Sequence, residues 1–385
     1  MTPYGSFTFF FILAFLLAPT VILGLLGKRF QAYNIFVSVI VLAIIFSSKP
    51  TGAIALISFT IWQILLIKAY FAYRKKANNT AVFCIAVIAS ILPLTISKLL
   101  PFFGQVNWMG FLGISYLTFK GTQLIMEIRD GLIKKDLSIV RLLYFILFFP
   151  TISSGPIDRY RRFEKDLKNE ITKDQYKLLL YDGINKIFLG FLYKYIIGYS
   201  INNYFISNIG NIAHSPFENH LYYMYAYSMY LFFDFAGYSC FAIGVSYIMG
   251  IKSPENFNKP FLSRNIKEFW DRWHMSLSFW FRDYVFMRFV FWMTKKKWIK
   301  NRNLLANLGF ILNFLLMGVW HGLAIQYILY GAYQALIMVC YNTFDQFNKK
   351  HKWLPNNKYT KIAGIVITFH FVCFGFYIFS GHLIK

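Results

Sequence analysis

A histidine at position 321 stands in the motif GVWHG, inside a stretch without formal charge. Residues 304–344 contain no Asp, Glu, Lys or Arg, and His321 is their only side chain that titrates near neutral pH. An imidazole can take up and release a proton near neutral pH, whereas a structural histidine would only hydrogen-bond a neighbouring helix. Ionisable side chains are costly inside membranes and generally serve a function there. Gly318 and Gly322 favour the functional interpretation, because they would let the backbone break and another group approach the ring.

A second histidine, His274, lies in the sequence KEFWDRWHMSLSFWFRDY, which has helical periodicity. Polar side chains recur every three or four residues and define one face of the predicted helix: Lys267, Asp271, His274, Ser278 and Arg282. Such a helix is typical of an interfacial segment with a solvated charged face. The alternative is chemical, since Asp271 could fix the tautomer of His274 by accepting a hydrogen bond from one ring nitrogen.

The elements that carry these histidines are predicted to be membrane helices. Of the 385 residues, 57% are hydrophobic and 21% are aromatic, which is more than a soluble core requires. A membrane-spanning helix needs about 20 apolar residues. The long apolar stretches are residues 6–27, 30–48, 51–73, 81–97, 99–119, 221–250 and 362–379. Together with residues 187–206 and two spans within 304–344, roughly ten spans are expected.

The net charge of +24 arises from 40 basic and 16 acidic residues, and the basic ones cluster in loops. This pattern predicts the positive-inside bias of a membrane protein in contact with anionic lipid, and no nucleic-acid partner is expected. Placing Lys28 and Arg29 in the cytoplasm makes the N-terminus extracellular. Alternating spans then bring the basic clusters at 74–76 and 134–135 to the cytoplasmic side as well.

Residues 137–157 interrupt this alternation. Their apolar core has only about a dozen residues, and Pro150, Gly155 and Pro156 precede a basic segment that is also expected in the cytoplasm. The segment is therefore predicted to enter the membrane and return on the same side, with its irregular backbone buried in protein.

Other residue patterns limit the kinds of site. Lys194 and Asp234 lie in apolar stretches and are predicted to pair across neighbouring helices. The four cysteines, at positions 84, 240, 340 and 373, have no CxxC spacing, so neither a disulfide framework nor a zinc site is indicated and buried packing is expected. Because no long linker, repeat or low-complexity tract divides the chain, residues 1–385 are predicted to form a single integral membrane domain.

Two groups of residues resemble the membrane-bound O-acyltransferase (MBOAT) family. The sequence DRWHMSLSFWFRDY and the histidine of GVWHG, 47 residues after His274, are similar to the family pattern. The sequence FFPTISSGPIDRYRRFEKDL at 148–167 is similar to the branch that serves teichoic acid D-alanylation in Gram-positive bacteria. The resemblance implies an all-α polytopic membrane protein. A ring of about 10–11 transmembrane helices, with re-entrant and interfacial helices, would surround a central funnel and tunnel.

The resemblance also implies roles for particular residues. His321 matches the family's essential histidine and is expected to act as a general base, and burial should help keep its imidazole neutral. His274 matches a second, less strictly catalytic polar position. Residues expected to line the tunnel or hold the substrate are Asp271, Trp273, Ser278 and Trp320. No metal site and no cofactor bound by the chain itself is expected.

The implied donor is a D-alanyl thioester on the phosphopantetheine arm of a small, acidic, DltC-like carrier protein. A DltD-like membrane partner and a teichoic acid acceptor at the cell membrane are also implied. A basic and aromatic surface would guide the carrier; its expected residues are Arg159, Arg161, Arg162, Trp292, Lys296 and Trp298. Because no serine or cysteine stands in a nucleophile motif, direct transfer is favoured, unless a partner protein carries the acyl group onward.

Three alternatives stay open at the level of the sequence. A member of the same family could transfer acetyl groups to a polysaccharide, since such relatives share the histidine motifs but differ around SGPIDRYRRF. A transporter could use His321 as a proton relay, although the sequence has no inverted repeats with paired broken helices. A scaffold would explain the basic face but would give His321 no role.

Overall fold

The computed structural model describes residues 1–355 and 357–384, and every regular element within these ranges is a helix. The α-helices are α1 (Phe7–Leu25), α2 (Gln31–Phe46), α3 (Pro50–Lys76), α4 (Thr80–Phe102), α5 (Ile114–Arg129), α6 (Ile139–Ile146), α7 (Tyr160–Lys168), α8 (Lys173–Phe191), α9 (Ile209–Ile212), α10 (Pro216–Ile248), α11 (Ile266–Trp270), α12 (Met275–Phe281), α13 (Met287–Lys296), α14 (Arg302–His321), α15 (Ile325–His351) and α16 (Lys358–Ser380). Short π-helical segments follow α8, at Leu192–Gly198 and Ile201–Phe205, and join α12 to α13, at Arg282–Phe286.

Six of the described helices are long and apolar enough to cross a membrane: α1, α3, α4, α10, α14 and α16. The all-α membrane class predicted from the sequence is confirmed. α2 is also apolar, but its 16 residues make a helix of about 24 Å against a hydrocarbon core of about 30 Å. The other expected spans fall in helices that are shorter, interrupted or richer in polar side chains, so the larger count of ten to eleven stays a prediction.

The single span predicted at 99–119 is wrong. α4 ends inside this stretch, and α5 begins after a loop. Pro101 stands at the last turn of α4, where a proline does not continue a helix well. Gly113 precedes α5 with a φ of 96°, and a Cβ there would lie 2.3 Å from the carbonyl oxygen of Ile152. Only glycine fits this left-handed turn, which separates α4 from the 16-residue α5.

The helices form two compact units. Unit 1 comprises residues 1–191 and 237–254, and unit 2 comprises residues 192–236 and 255–385. Both candidate histidines lie in unit 2. The single integral domain expected from the sequence stays a prediction.

Within unit 1, the segment 137–157 forms the eight-residue α6, a 3-10 turn at Phe149–Thr151 and a buried irregular chain. At 1.5 Å per residue, α6 is about 12 Å long, too short to cross as one helix. The buried ammonium group of Lys120 lies 3.1 Å from the carbonyl oxygen of Phe145 and 3.2 Å from the hydroxyl of Thr151. It therefore satisfies polar groups that the end of a short helix leaves without intrahelical partners.

Candidate active site

His321 is the last residue of α14, and three residues separate it from α15. A Cβ at Gly318 would lie 2.6 Å from the carbonyl oxygen of Tyr327 and 3.0 Å from the Cα of Gly331, so the two helices pack backbone to backbone. A Cβ at Gly322 would lie 2.6 Å from the Tyr327 ring, whereas its φ of 172° is extended backbone that any residue adopts. The expected break is present, since α14 ends at His321, but the φ of Gly322 does not require glycine, and both glycines are needed for space. The approach of a reacting group to the His321 ring stays a prediction.

The ring of His321 is half-buried and lies among aromatic side chains. Its centroid is 4.5 Å from that of Trp320 and 4.9 Å from that of Phe379, which meets it nearly edge-on at 81°. The rings of Tyr327 and Tyr330 follow at 6.2 and 6.1 Å. Aromatic packing on several sides fixes the orientation of the imidazole. Its incomplete burial leaves part of the ring accessible to a reactant.

His274 occupies a break between two helices. α11 ends at Trp270, α12 begins at Met275, and His274 has a φ of 42°, in the left-handed region. A histidine rarely adopts this conformation, and backbone strain of this kind clusters at functional sites. The residue is 5% exposed, and the ring of Phe235 meets its imidazole edge-on at 4.7 Å.

The pKa of His274, which lies outside the six candidate spans, is lowered to about 3, mainly by burial and in smaller part by the like charge of His321. The two histidines are therefore electrostatically coupled within unit 2. Nε2 of His274 has no hydrogen-bond partner in the part of the chain that the structure describes. A neutral, buried imidazole with an unpaired nitrogen can hydrogen-bond a substrate, but it is a weak base at neutral pH.

The continuous amphipathic helix predicted over 267–284 is wrong. The amide of Met275 donates to the carbonyl oxygen of Asn256 at 2.9 Å, and the hydroxyl of Ser276 donates to the Asn256 side-chain oxygen at 2.6 Å. Buried Asn256 therefore supplies hydrogen bonds in place of those that the helix break removes. The periodicity gave no sign of this break, because the competing partner lies outside the periodic stretch.

The predicted partnership of Asp271 with His274 is also wrong. Asp271 is exposed, His274 is buried, and no hydrogen bond joins them in the described structure. Trp273 is buried 4.7 Å from the ring of Phe376, and its carbonyl oxygen accepts from the hydroxyl of Ser278 at 3.0 Å. Trp273 and Ser278 thus support the break that presents His274. Trp320, another of the expected lining residues, contacts the His321 ring.

Several neighbours of the histidines were missed from the sequence. Phe235 and Phe379 stand in apolar stretches with many other phenylalanines, so only the packing distinguishes them. Tyr327 carried a usable signal. It lies six residues after His321 across a short uncharged connection, and the first turn of the second helix must return to the last turn of the first.

The basic residues expected to bind a carrier protein are partly engaged within unit 1. Arg162 donates to both carboxylate oxygens of the buried Asp158, and Arg161 lies 3.3 Å from the buried Glu127. Arg159 donates its backbone amide to Asp158 at 2.6 Å. Much of their charge therefore balances buried carboxylates, which reduces what they offer to a partner.

The expected carrier-binding residues of unit 2 are more exposed. Trp292 and Trp298 are 47% and 65% exposed, and their rings meet edge-on at 5.1 Å. Lys296 is exposed in the last turn of α13. Exposed tryptophans beside a cation are typical of a protein contact or of the membrane interface.

The predicted pairing of Lys194 with Asp234 is confirmed in unit 2. Cys240 and Cys373 are buried as expected, whereas Cys84 and Cys340 are exposed, contrary to expectation. Among residues 1–355 and 357–384, no group of three or more His, Cys, Asp or Glu side chains is arranged to hold a metal ion. The candidate catalytic groups among the described residues are the two histidines.

Comparison of the sequence with known proteins shows which proteins the chain is similar to. Residues 129–383 match the membrane-bound O-acyltransferase family. The chain is 69% identical over 388 residues to a teichoic acid D-alanyltransferase of Bacillus subtilis (strain 168), which covers 99% of this chain and 98% of that protein. It is 43% identical over 403 residues to a teichoic acid D-alanyltransferase of Lacticaseibacillus rhamnosus, covering 100% and 98%. A probable alginate O-acetylase of Pseudomonas fluorescens is 31% identical over 227 residues, 58% of this chain and 43% of that protein.

Proposed function

The chain belongs to the membrane-bound O-acyltransferase family, and we propose that it transfers D-alanyl groups in the D-alanylation of teichoic acid, with His321 as general base. The half-buried ring of His321, held by aromatic side chains at the break between α14 and α15, carries this proposal. Matches over nearly the full length of two teichoic acid D-alanyltransferases support the substrate class.

The proposed reaction is acyl transfer from a thioester to a hydroxyl group. The hydroxyl oxygen attacks the carbonyl carbon, and a ring nitrogen of His321 takes the hydroxyl proton as the new C–O bond forms. The C–S bond then breaks, and the imidazolium returns the proton to the departing thiolate. General acid–base catalysis of this kind contributes roughly 10² to 10⁴ in rate.

We assign His274 to substrate binding rather than to proton transfer. With a pKa of about 3, its imidazole stays neutral at physiological pH and is a poor proton acceptor. Its buried Nε2, unpartnered among the described residues, is suited to a hydrogen bond with the donor.

The proposed donor is a D-alanyl thioester on the phosphopantetheine arm of an acidic carrier protein that approaches from the cytoplasm. The exposed cluster of Trp292, Lys296 and Trp298 supports such a contact, because it offers apolar area and positive charge together. We further propose a DltD-like membrane partner, residence in the cell membrane and an extracellular N-terminus. Transfer is direct, since no nucleophile motif is present in the sequence.

The test uses membranes that contain the full chain and a carrier protein loaded with labelled D-alanine. We expect His321→Ala to lower the initial transfer rate by roughly 10² to 10⁴ at unchanged protein level. His370→Ala is the matched control, because His370 is an exposed histidine of the apolar α16 whose Nδ1 lies 2.7 Å from the carbonyl oxygen of Val366 in the same helix. This control should transfer at the wild-type rate.

Two outcomes would revise the proposal in different ways. Transfer at the wild-type rate by folded His321→Ala would contradict the assignment of His321 as the general base. The partial match to a probable alginate O-acetylase makes polysaccharide O-acetylation the second candidate, tested with a labelled acetyl donor and a polysaccharide acceptor. Acetyl transfer without D-alanyl transfer would change the substrate class and leave the role of His321 intact.

A further inference from the structure

Unit 1 contains a basic cavity of about 390 Å³ whose lining includes neither His274 nor His321. It is formed by the loop between α1 and α2, by α6, by the end of α7 and by the residues after α10. Its basic lining residues are Lys28, Arg29, Arg141 and Lys168. The positive-inside pattern places this cavity at the cytoplasmic surface of the membrane.

The carboxylates near this cavity do not neutralise it. Glu164 lies 3.1 Å from Arg141 and 2.8 Å from Lys168, so one carboxylate serves two cations. Asp166 also lines the cavity, but it pairs at 3.1 Å with Arg162, which is not part of the lining. Arg162 also pairs with Asp158, so the α6 and α7 side is close to balanced. The surplus of positive charge belongs to the lining as a whole, which has four basic side chains and two carboxylates, Asp166 and Glu170.

The loop between α1 and α2 adds to this positive potential. Arg29 pairs with Glu170 at the surface, and the described ion pairs do not include Lys28. The start of α2 opens on the same cavity, because Gln31 lines it and the preceding Phe30 provides no side-chain cap. Free amide groups at a helix start add to the attraction of an anion.

An apolar groove of about 630 Å³ continues along the same two helices. On α2 the basic cavity ends at Ile35 and the groove begins at Val39, one helical turn later. On α6 the cavity is lined by Tyr144 and the groove by Leu143, and Leu147, just after the helix, also lines the groove. α3 forms the other wall, and the lining is apolar apart from two hydroxyl residues. The basic cavity and the apolar groove are thus both lined by α2 and α6.

We propose that this pair of openings is a binding site for an anionic phospholipid, with the headgroup phosphate in the basic cavity and the acyl chains along the groove. Basic pockets between membrane helices on the cytoplasmic side suit such headgroups. Free phosphate would occupy the cavity but leave the groove unused. A zwitterionic lipid would use the groove, but it has no net negative charge for the basic cavity to attract. The site does not depend on the proposed acyl transfer.

Native mass spectrometry of the purified full chain tests the proposal with three probes. These are dioleoylphosphatidylglycerol, dioleoylphosphatidylcholine and glycerol phosphate, which separate the charge of the ligand from its acyl chains. We expect the anionic lipid to be retained about tenfold more strongly than either other probe, given roughly two uncompensated cations. Equal retention of the two lipids, or equal retention of glycerol phosphate and the anionic lipid, would overturn the site.

Variants locate the binding. Lys28→Gln combined with Arg29→Gln should lower retention of the anionic lipid about tenfold. Lys75→Gln combined with Lys76→Gln is the matched control, because this basic pair ends α3 on the same predicted membrane face and does not line the cavity. Ala43→Phe fills the groove and should weaken both lipids. Unchanged retention in the Lys28 and Arg29 variant would overturn the proposal, and the wild-type comparison of probes decides the question if a variant does not fold.

Discussion

In unit 1, Gln63 donates to the carbonyl oxygen of Ser90 at 2.7 Å and accepts from the Ser90 hydroxyl at 2.9 Å, while Thr122 lies 3.0 Å from that hydroxyl. In unit 2, buried Asn256 and His274 each keep a side-chain nitrogen without a hydrogen-bond partner among the described residues. Where the structure describes unit 1, the buried side-chain atoms without a hydrogen-bond partner are hydroxyl groups, such as those of Ser239 and Ser253.

This difference separates two uses of buried polar groups. A hydroxyl can rotate to find a partner, whereas an amide or imidazole nitrogen is fixed by its side chain. Leaving such a nitrogen unpaired costs about 1–3 kcal/mol, so it persists where something else requires it. We infer that unit 1 uses its polar side chains to hold the structure, and that unit 2 keeps some of them available near the histidines.

The largest expected effect on stability concerns the buried ion pair of Asp158 and Arg162 in unit 1. Asp158→Ala leaves Arg162 without the carboxylate that receives two of its hydrogen bonds, and we expect a loss of about 3 kcal/mol in the free energy of unfolding. Asp136→Ala is the control, since Asp136 is 74% exposed and lies 3.5 Å from Lys68. Such a surface pair is worth up to about 1 kcal/mol. Thermal unfolding in detergent measures both, and similar losses would contradict the structural role of the buried pair in unit 1.

A smaller effect is expected where the helix pair of unit 2 positions His321. Gly318→Ala forces a methyl group against the backbone of α15 and should cost about 1–3 kcal/mol. We also expect a lower D-alanyl transfer rate, because the end of α14 moves. Gly210→Ala is the control, since its Cβ would meet nothing within 4 Å and its helix tolerates alanine. Wild-type stability and transfer in Gly318→Ala would show that the close packing does not set the site.

The third effect is absent near neutral pH and concerns the acid sensitivity of unit 2. The folded-state pKa of His274, about 3, lies below the ordinary value of 6.5, so between these values the unfolded chain binds a proton that the folded chain does not. Stability should therefore fall as the pH drops below 6.5, with a slope of up to about 1.4 kcal/mol per pH unit. His274→Asn, which tolerates the left-handed backbone, should flatten this slope. His370→Asn should retain it. A profile of His274→Asn identical to that of the wild type would mean that His274 is not the buried neutral group.

Some features could be predicted because they depend on local chemistry. The apolar core of residues 137–157 is too short for a membrane-spanning helix, and this can be read from the sequence. The charges of Lys194 and Asp234 likewise required a partner, because both residues lie in apolar stretches. The break at His274 could not be predicted, since Asn256 makes the competing hydrogen bonds from outside the periodic stretch. The apolar content of residues 99–119 likewise gave no sign of a helix boundary, because the left-handed turn at Gly113 sets the start of α5.

The amino-acid sequence by itself determined that the chain is an all-helical membrane protein with an excess of basic loops and a histidine in an uncharged stretch, because hydrophobicity and charge act through transfer free energies that do not depend on packing. Tertiary structure alone decided how the two histidines differ. Packing leaves His321 partly accessible among aromatic rings and buries His274 in a strained turn with one nitrogen unpaired. Burial and hydrogen bonding set the chemistry of an imidazole, and both arise from residues distant in the chain.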